Sequence, residues 1–248
     1  MTALALAIAL VQGGAVATSI HANASELHPG GMGTPLQYPR DMAHQMAASA
    51  PVYSHARNDD AAYDADAAAM SVLFWGRDLR LVNGETTLLL PPQEDLAQLL
   101  FLFPDSQALD VAHRFARIAS ETAFPRRSGE PAYTVLQVTG LNPEHLTPLD
   151  DQVLENGLAL IGWSARRVGG TLHIITCWHV TEAHVPGRYH QFNHLHPAGA
   201  DAPVAVQDAP LSSGAWAAGD SVLTWATFDV QTARSHYLDV RMYTFPEL

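Results

Sequence analysis

From Asp151 onward the chain shows no helical spacing, only short apolar or alternating runs separated by turn residues. Runs of this kind lie at 133–138, 158–164, 172–180, 189–195, 203–206, 221–230 and 237–244. Gly169-Gly170, Pro186-Gly187, Pro197-Ala198-Gly199 and Gly219-Asp220 punctuate them. Successive side chains of a strand point to opposite faces, so such runs bury one face only by stacking sheet on sheet. About seven short strands at this spacing predict an antiparallel, jelly-roll-like β-sandwich over residues 131–248.

Upstream the pattern changes. Helical spacing starts at Pro39 and runs through Met42, Met46 and Ala47, with proline suited to a first turn. A short strand is expected at 51–54. Asn58-Asp59-Asp60 offers N-cap chemistry for an alanine-rich helix over 61–75. The Asn83-Gly84 pair predicts a tight hairpin between strands at 79–82 and 86–90. A continuous apolar run at 99–103 reads as a buried strand, and Pro104-Asp105-Ser106 caps a helix reaching about residue 118. Interleaved strands and helices predict a small α/β layer domain over 39–130. The expected fold class is therefore α+β with two domains. A hydrophobic helix at 1–22 and a linker at 23–38 precede them, the linker carrying Pro29-Gly30-Gly31-Met32-Gly33.

The first charged residue is Glu26, and 3–20 is apolar apart from Gln12, Gly13, Gly14, Thr18 and Ser19. A membrane-spanning helix needs roughly 17–25 residues, so the run is at the lower edge of that range. Ala15-Val16-Ala17 has the small-x-small pattern of signal-peptide cleavage, without a positive n-region before it. The tail of a last membrane helix of a longer protein is the third reading, and a buried core helix the fourth. The first three place the remainder of the chain outside the cytoplasm, and the expected localisation is membrane-associated with the bulk of the chain extracytoplasmic.

The net charge of −12, with 13 basic residues against 25 acidic ones, excludes a nucleic-acid partner, which needs clustered Lys and Arg. The single cysteine, Cys177, permits no internal disulfide and reads as a buried thiol in an apolar run. No phosphate loop, nucleophile elbow, zincin helix or calcium loop is present. No catalytic residue, metal site or cofactor is assigned.

Thirteen histidines is a high count. His190, His194 and His196 share one face of an expected strand. At about 3.3 Å per residue, His190 and His194 lie roughly 13 Å apart, too far to share an ion. Only His194 and His196, joined by Asp208 or His179, come near a ligand set, and Phe192 on the same face suggests that this face is core. Trp163, Trp178, Trp216, Trp225, Tyr237 and Tyr243 divide between core and sugar-stacking roles. Trp216, in a Gly/Ser-rich loop, is the best exposed candidate. The candidate ligand-contacting residues are Trp216, Asp208, His194 and Tyr243; an internal His194–Asp208 hydrogen bond is the simpler reading of that pair.

Several segments carry a family resemblance: 156–163 (NGLALIGW), 176–180 (TCWHV), 192–195 (FNHL), 206–210 (VQDAP), 216–220 (WAAGD), 240–243 (VRMY) and the earlier 79–84 (LRLVNG). Together they resemble the soluble C-terminal extracytoplasmic region of bacterial dolichyl-phosphate-mannose-protein mannosyltransferase-like membrane glycosyltransferases. The resemblance runs from about Leu36 onward and rests on strand and loop positions. It implies a small α/β region followed by a sandwich, after a last membrane helix. The catalytic acids of that family lie in a loop between membrane helices, and nothing here corresponds to them. The resulting expectation is a non-catalytic extracytoplasmic module that binds or positions a glycan or a membrane-protein partner. The alternatives are a structural subunit of a membrane complex, or a glycosyltransferase using a polyprenyl-phosphate sugar whose catalytic part is missing.

Overall fold

The computed structural model describes residues 2–27, 33–230 and 236–244, so part of the expected linker (28–32) lies outside the described residues. The fold is mostly β, arranged in three sheets. Helix α1 (Thr2–Ser25) leads in. The body follows as α2 (Gln37–Gln45), β1 (Val52–Ala56), α3 (Ala65–Leu73), β2 (Leu79–Asn83), β3 (Thr87–Leu90), β4 (Ala97–Phe101), α4 (Gln107–Phe115), β5 (Ala116–Phe124) and β6 (Tyr133–Leu141). A 3-10 turn at Pro143–His145 leads to β7 (Thr147–Val153), β8 (Leu158–Val168), β9 (Thr171–Val180), β10 (Arg188–Pro197), β11 (Ala205–Ser212), β12 (Ser221–Asp229) and β13 (His236–Thr244).

A mixed sheet of order β2-β1-β4-β6-β5 has β1 parallel to both β2 and β4, and β6 antiparallel to β4 and β5. Helices α2 and α3 bury Met42, Met46, Met70 and Phe74 against one face, over Val52, Leu100 and Val135. Helix α4 lies on the other face, with Ala108, Val111, Ala112 and Phe115 in one cluster with Leu99, Phe101 and Leu136. The caps are local chemistry: Asp64 accepts from the backbone N–H groups of Asp66 and Ala67, and Ser106 from that of Leu109. Asp64 therefore starts α3, and the expected Asn58-Asp59-Asp60 start forms a turn ahead of it.

An antiparallel five-stranded sheet, β3-β12-β9-β8-β7, forms the middle of the molecule. One face meets α4 and the mixed sheet, where Arg114 donates to Ser164 Oγ at 3.0 Å. The other face is covered by a three-stranded sheet, β11-β10-β13. The same cluster that holds Tyr53, Leu99 and Phe115 also holds Cys177, Trp178, Val222 and Trp225, so one core runs through both halves of the chain.

Sheet membership crosses the boundary expected at residue 131. Strand β6 completes the mixed sheet, while β3, from the first half, pairs with β12. The expected hairpin at Asn83-Gly84 is likewise not formed: β2 pairs in parallel with β1, and β3 joins another sheet. All four residues of β3 are buried, and a strand buried on both faces belongs between two layers rather than in an edge hairpin.

Helix α1 is anchored at its C-terminal end. Tyr38 Oη donates to Ala24 O at 2.8 Å and Arg127 Nη1 to Asn23 O at 2.7 Å, hydrogen bonds that satisfy last-turn carbonyls. Leu6, Leu10, Val11, Val16 and Ile20 are exposed. Among the described residues no helix is long and apolar enough to cross a membrane. This corrects the expectation of a membrane-spanning segment at 3–20 and of the anchoring drawn from it. Gln12-Gly13-Gly14 interrupts the apolar run at its middle, and Thr18, Ser19, His21 and Asn23 make its second half polar.

Candidate functional site: the outer face of the three-stranded sheet

Strand β10 is central in its sheet and alternates strictly for most of its length. Tyr189, Gln191, Asn193 and Leu195 are buried against the five-stranded sheet, which turns His190, Phe192, His194 and His196 to the other face. Register then fixes their neighbours. On β13, Tyr243 lies opposite His190, Arg241 opposite Phe192, Asp239 opposite His194 and Tyr237 opposite His196. On β11, Pro210, Asp208 and Val206 take the matching places.

These side chains form a stripe of rings. Tyr237 stacks on His196 at 4.7 Å with an 8° interplanar angle, and His194 lies 6.4 Å from His196. Phe192 is 4.3 Å from His194, and Tyr243 is 5.5 Å from His190. Arg241 lies over Phe192 at 5.6 Å and pairs with Asp239 at 3.0 Å. Asp208 stands 3.7 Å from His194 Nε2, beyond hydrogen-bond reach, so the internal hydrogen bond expected for this pair is not made. Tyr237 and Tyr243 are 48% and 43% exposed, enough to present ring faces to a ligand. Both ring nitrogens of the buried His196 lack a hydrogen-bond partner.

A buried polar network holds this platform on the sheet beneath. Trp178 Nε1 and Thr224 Oγ1 both donate to Gln191 Oε1, at 3.2 and 2.8 Å. The Gln191 amide donates to Thr176 Oγ1 and Asn193 Oδ1, at 3.1 and 2.9 Å. Thr176 and Thr224 meet at 2.6 Å, and Asn193 donates to Gln207 O at 2.9 Å. With Thr176 as donor to Thr224, every polar group in the set is satisfied, and satisfied buried networks fix a unique register.

Three of the four residues named from sequence, His194, Asp208 and Tyr243, therefore share one outward surface. Trp216 does not join them. It is 6% exposed, belongs to the core and stacks on His184 at 5.9 Å, which corrects its expected role as an exposed platform. Its Gly/Ser-rich surroundings mark a tight return: Ser213 and Gly187 exchange hydrogen bonds, and Asp220 Oδ2 accepts from Ala217 N at 2.7 Å. Phe192, expected to mark a core face, is half-buried on the outward one. Sequence reasoning missed Asp239 and Arg241. Their even spacing from Tyr237 and Tyr243 was the available signal, usable only once β13 is paired with β10.

Among the described residues no group of three His, Cys, Asp or Glu side chains comes together as a metal site would require. His179 projects from the side of β9 opposite Trp178, away from His194. Burial pushes the Cys177 thiol up to about 12, which keeps it protonated and inert. An apolar cleft of about 720 Å³ opens where the narrower sheet ends over the wider one, lined by Trp163, Ile174, Leu195, Tyr237 and Leu238 among others. Compared with protein-family models, curated proteins and solved structures, the chain matches none.

Proposed function

We propose that this chain is a non-catalytic glycan-binding module, working outside the cytoplasm, whose ligand lies along the outer face of the three-stranded sheet. The supporting observation is the stripe from Tyr237 through His196, His194 and Phe192 to Tyr243, flanked by Asp208, Asp239 and Arg241. From His190 to His196 it is about 20 Å long at 3.3 Å per residue, the reach of a short oligosaccharide. Sugar rings offer apolar faces to aromatic rings and hydroxyls to carboxylates and guanidinium groups, and this surface supplies both. The fold is read with it: a jelly-roll-like sandwich of the five- and three-stranded sheets as the binding part, sharing one core with the mixed sheet behind it.

The test is calorimetric titration with a panel of bacterial surface polysaccharides, on the full chain and on Tyr237→Ala and Tyr243→Ala. Truncating a central aromatic contact commonly costs more than 1 kcal/mol, so each variant is expected to bind about tenfold more weakly. No binding at millimolar ligand, with tryptophan fluorescence unchanged, removes the reading.

A further inference from the structure

The outer face continues into a cleft of about 730 Å³ at the carboxyl ends of the parallel strands β1 and β2. Asn58, Asp59, Asp60 and Tyr63, from the loop after β1, form one wall with Leu81 and Asn83 of β2. Arg188, Tyr189 and His190 of β10 form the other, with Pro210 and Ser212 of β11. The cleft lies outside the carboxyl ends of β1 and β2, the two parallel strands joined through α3, and part of its lining comes from the loop after β1. The volume is within the range of small-ligand sites. His190 belongs to both surfaces, since it lines the cleft and lies 5.5 Å from Tyr243 on the stripe. Pro210 lines the cleft and lies opposite His190 in the ladder.

The charges select the ligand. The cleft carries two carboxylates, Asp59 and Asp60, against one cation, Arg188, which already faces Asp60 at 3.6 Å. On the stripe, Arg241 is held by Asp239. Both cations along the path are therefore occupied by an aspartate, while among the described residues no cation pairs with Asp59. An anionic chain meets like charge with no free partner, whereas an ammonium group finds an open carboxylate. Asn58, Asn83 and Ser212 add amide and hydroxyl groups suited to sugar hydroxyls. Tyr63, 84% exposed, offers a ring at the rim.

We propose that this cleft is an end subsite for an amino-bearing sugar of the glycan whose body lies on the stripe. The inference rests on the glycan reading above. The experiment compares chitosan hexamer, its fully N-acetylated counterpart and hyaluronan oligosaccharides, titrated at low salt into the full chain, Asp59→Asn and Tyr237→Ala. The full chain is expected to prefer the chitosan hexamer over the N-acetylated one by roughly fivefold, as one partly exposed charge pair allows, and to leave hyaluronan unbound. Asp59→Asn abolishes that preference. Tyr237→Ala weakens both hexamers alike. A preference that is absent from the full chain, or that survives Asp59→Asn while Tyr237→Ala still weakens binding, overturns the subsite and spares the stripe. Failure of every oligosaccharide to bind overturns both.

Discussion

His55 lies in the middle of the molecule, 2% exposed, stacked on Phe101 at 4.8 Å, with its Nε2 accepting from Leu89 N at 3.4 Å. Burial holds its imidazole down to about 3 from an ordinary value of 6.5, so it is neutral in the folded protein throughout the mildly acidic range. The unfolded chain has no such restraint and takes up a proton below about pH 6.5. Acid therefore favours the unfolded state through this residue: stability is complete above 6.5 and falls as the pH drops toward 3. The slope is about 1.4 kcal/mol per pH unit, so lowering the pH from about 7 to about 5 costs roughly 2 kcal/mol at His55 alone. Urea denaturation at the two pH values, on the wild type and on His55→Gln, isolates that contribution, because the other titrating groups are common to both proteins. Glutamine keeps an oxygen to accept from Leu89 and does not titrate. The wild type is expected to lose about 2 kcal/mol more than the variant over this interval. Equal losses would refute the argument, as would an NMR titration showing His55 protonated near pH 6.

Two further outcomes follow from the hydrogen bonds and ion pairs. Gln191→Leu leaves Trp178 Nε1 and Thr224 Oγ1 buried without their acceptor, and should lower unfolding stability by about 3 kcal/mol while Asn193→Ala costs less, both read by urea titration. Arg80 Nη1 meets the fully buried Asp220 Oδ2 at 2.7 Å, where burial pushes the carboxyl up against the lowering pull of Ala217 N–H and the guanidinium. Arg80→Leu strands that carboxylate and should cost about 3 kcal/mol at neutral pH, with part of the loss recovered on acidification as Asp220 takes up a proton. The double variant with Asp220→Asn should be more stable than Arg80→Leu alone, and a double variant showing the full sum of the single losses would argue against coupling.

Where burial is one-sided and regular, the strands are legible in the sequence. Strand β10 alternates because one face meets a partner layer, while β9 and β12, covered on both faces, appear as near-continuous apolar runs. The edges are not. Strand β5 has seven consecutive exposed residues, so neither face imposes a period, and its sequence reads as the tail of α4. Strand β7, at an edge of the five-stranded sheet, slips register against β8 between Pro148 and Gln152, which breaks its alternation. Strand β11 extends to Ser212 despite Pro210, which its edge position tolerates.

By itself the sequence determined that the second half is sheet on sheet, that helices fall near α3 and α4, and that His190, His194 and His196 share a side. Local period and cap chemistry carry that information without reference to distant residues. The tertiary structure alone decided which side of each sheet is outward. It moved Phe192 to the surface, sent Trp216 to the core and placed β3 beside β12. It also brought Asp59, from the loop after β1, to the same cleft as His190 of β10. Pairing between strands far apart in the chain is set by burial competition over the whole core, and no local stretch of residues records its outcome.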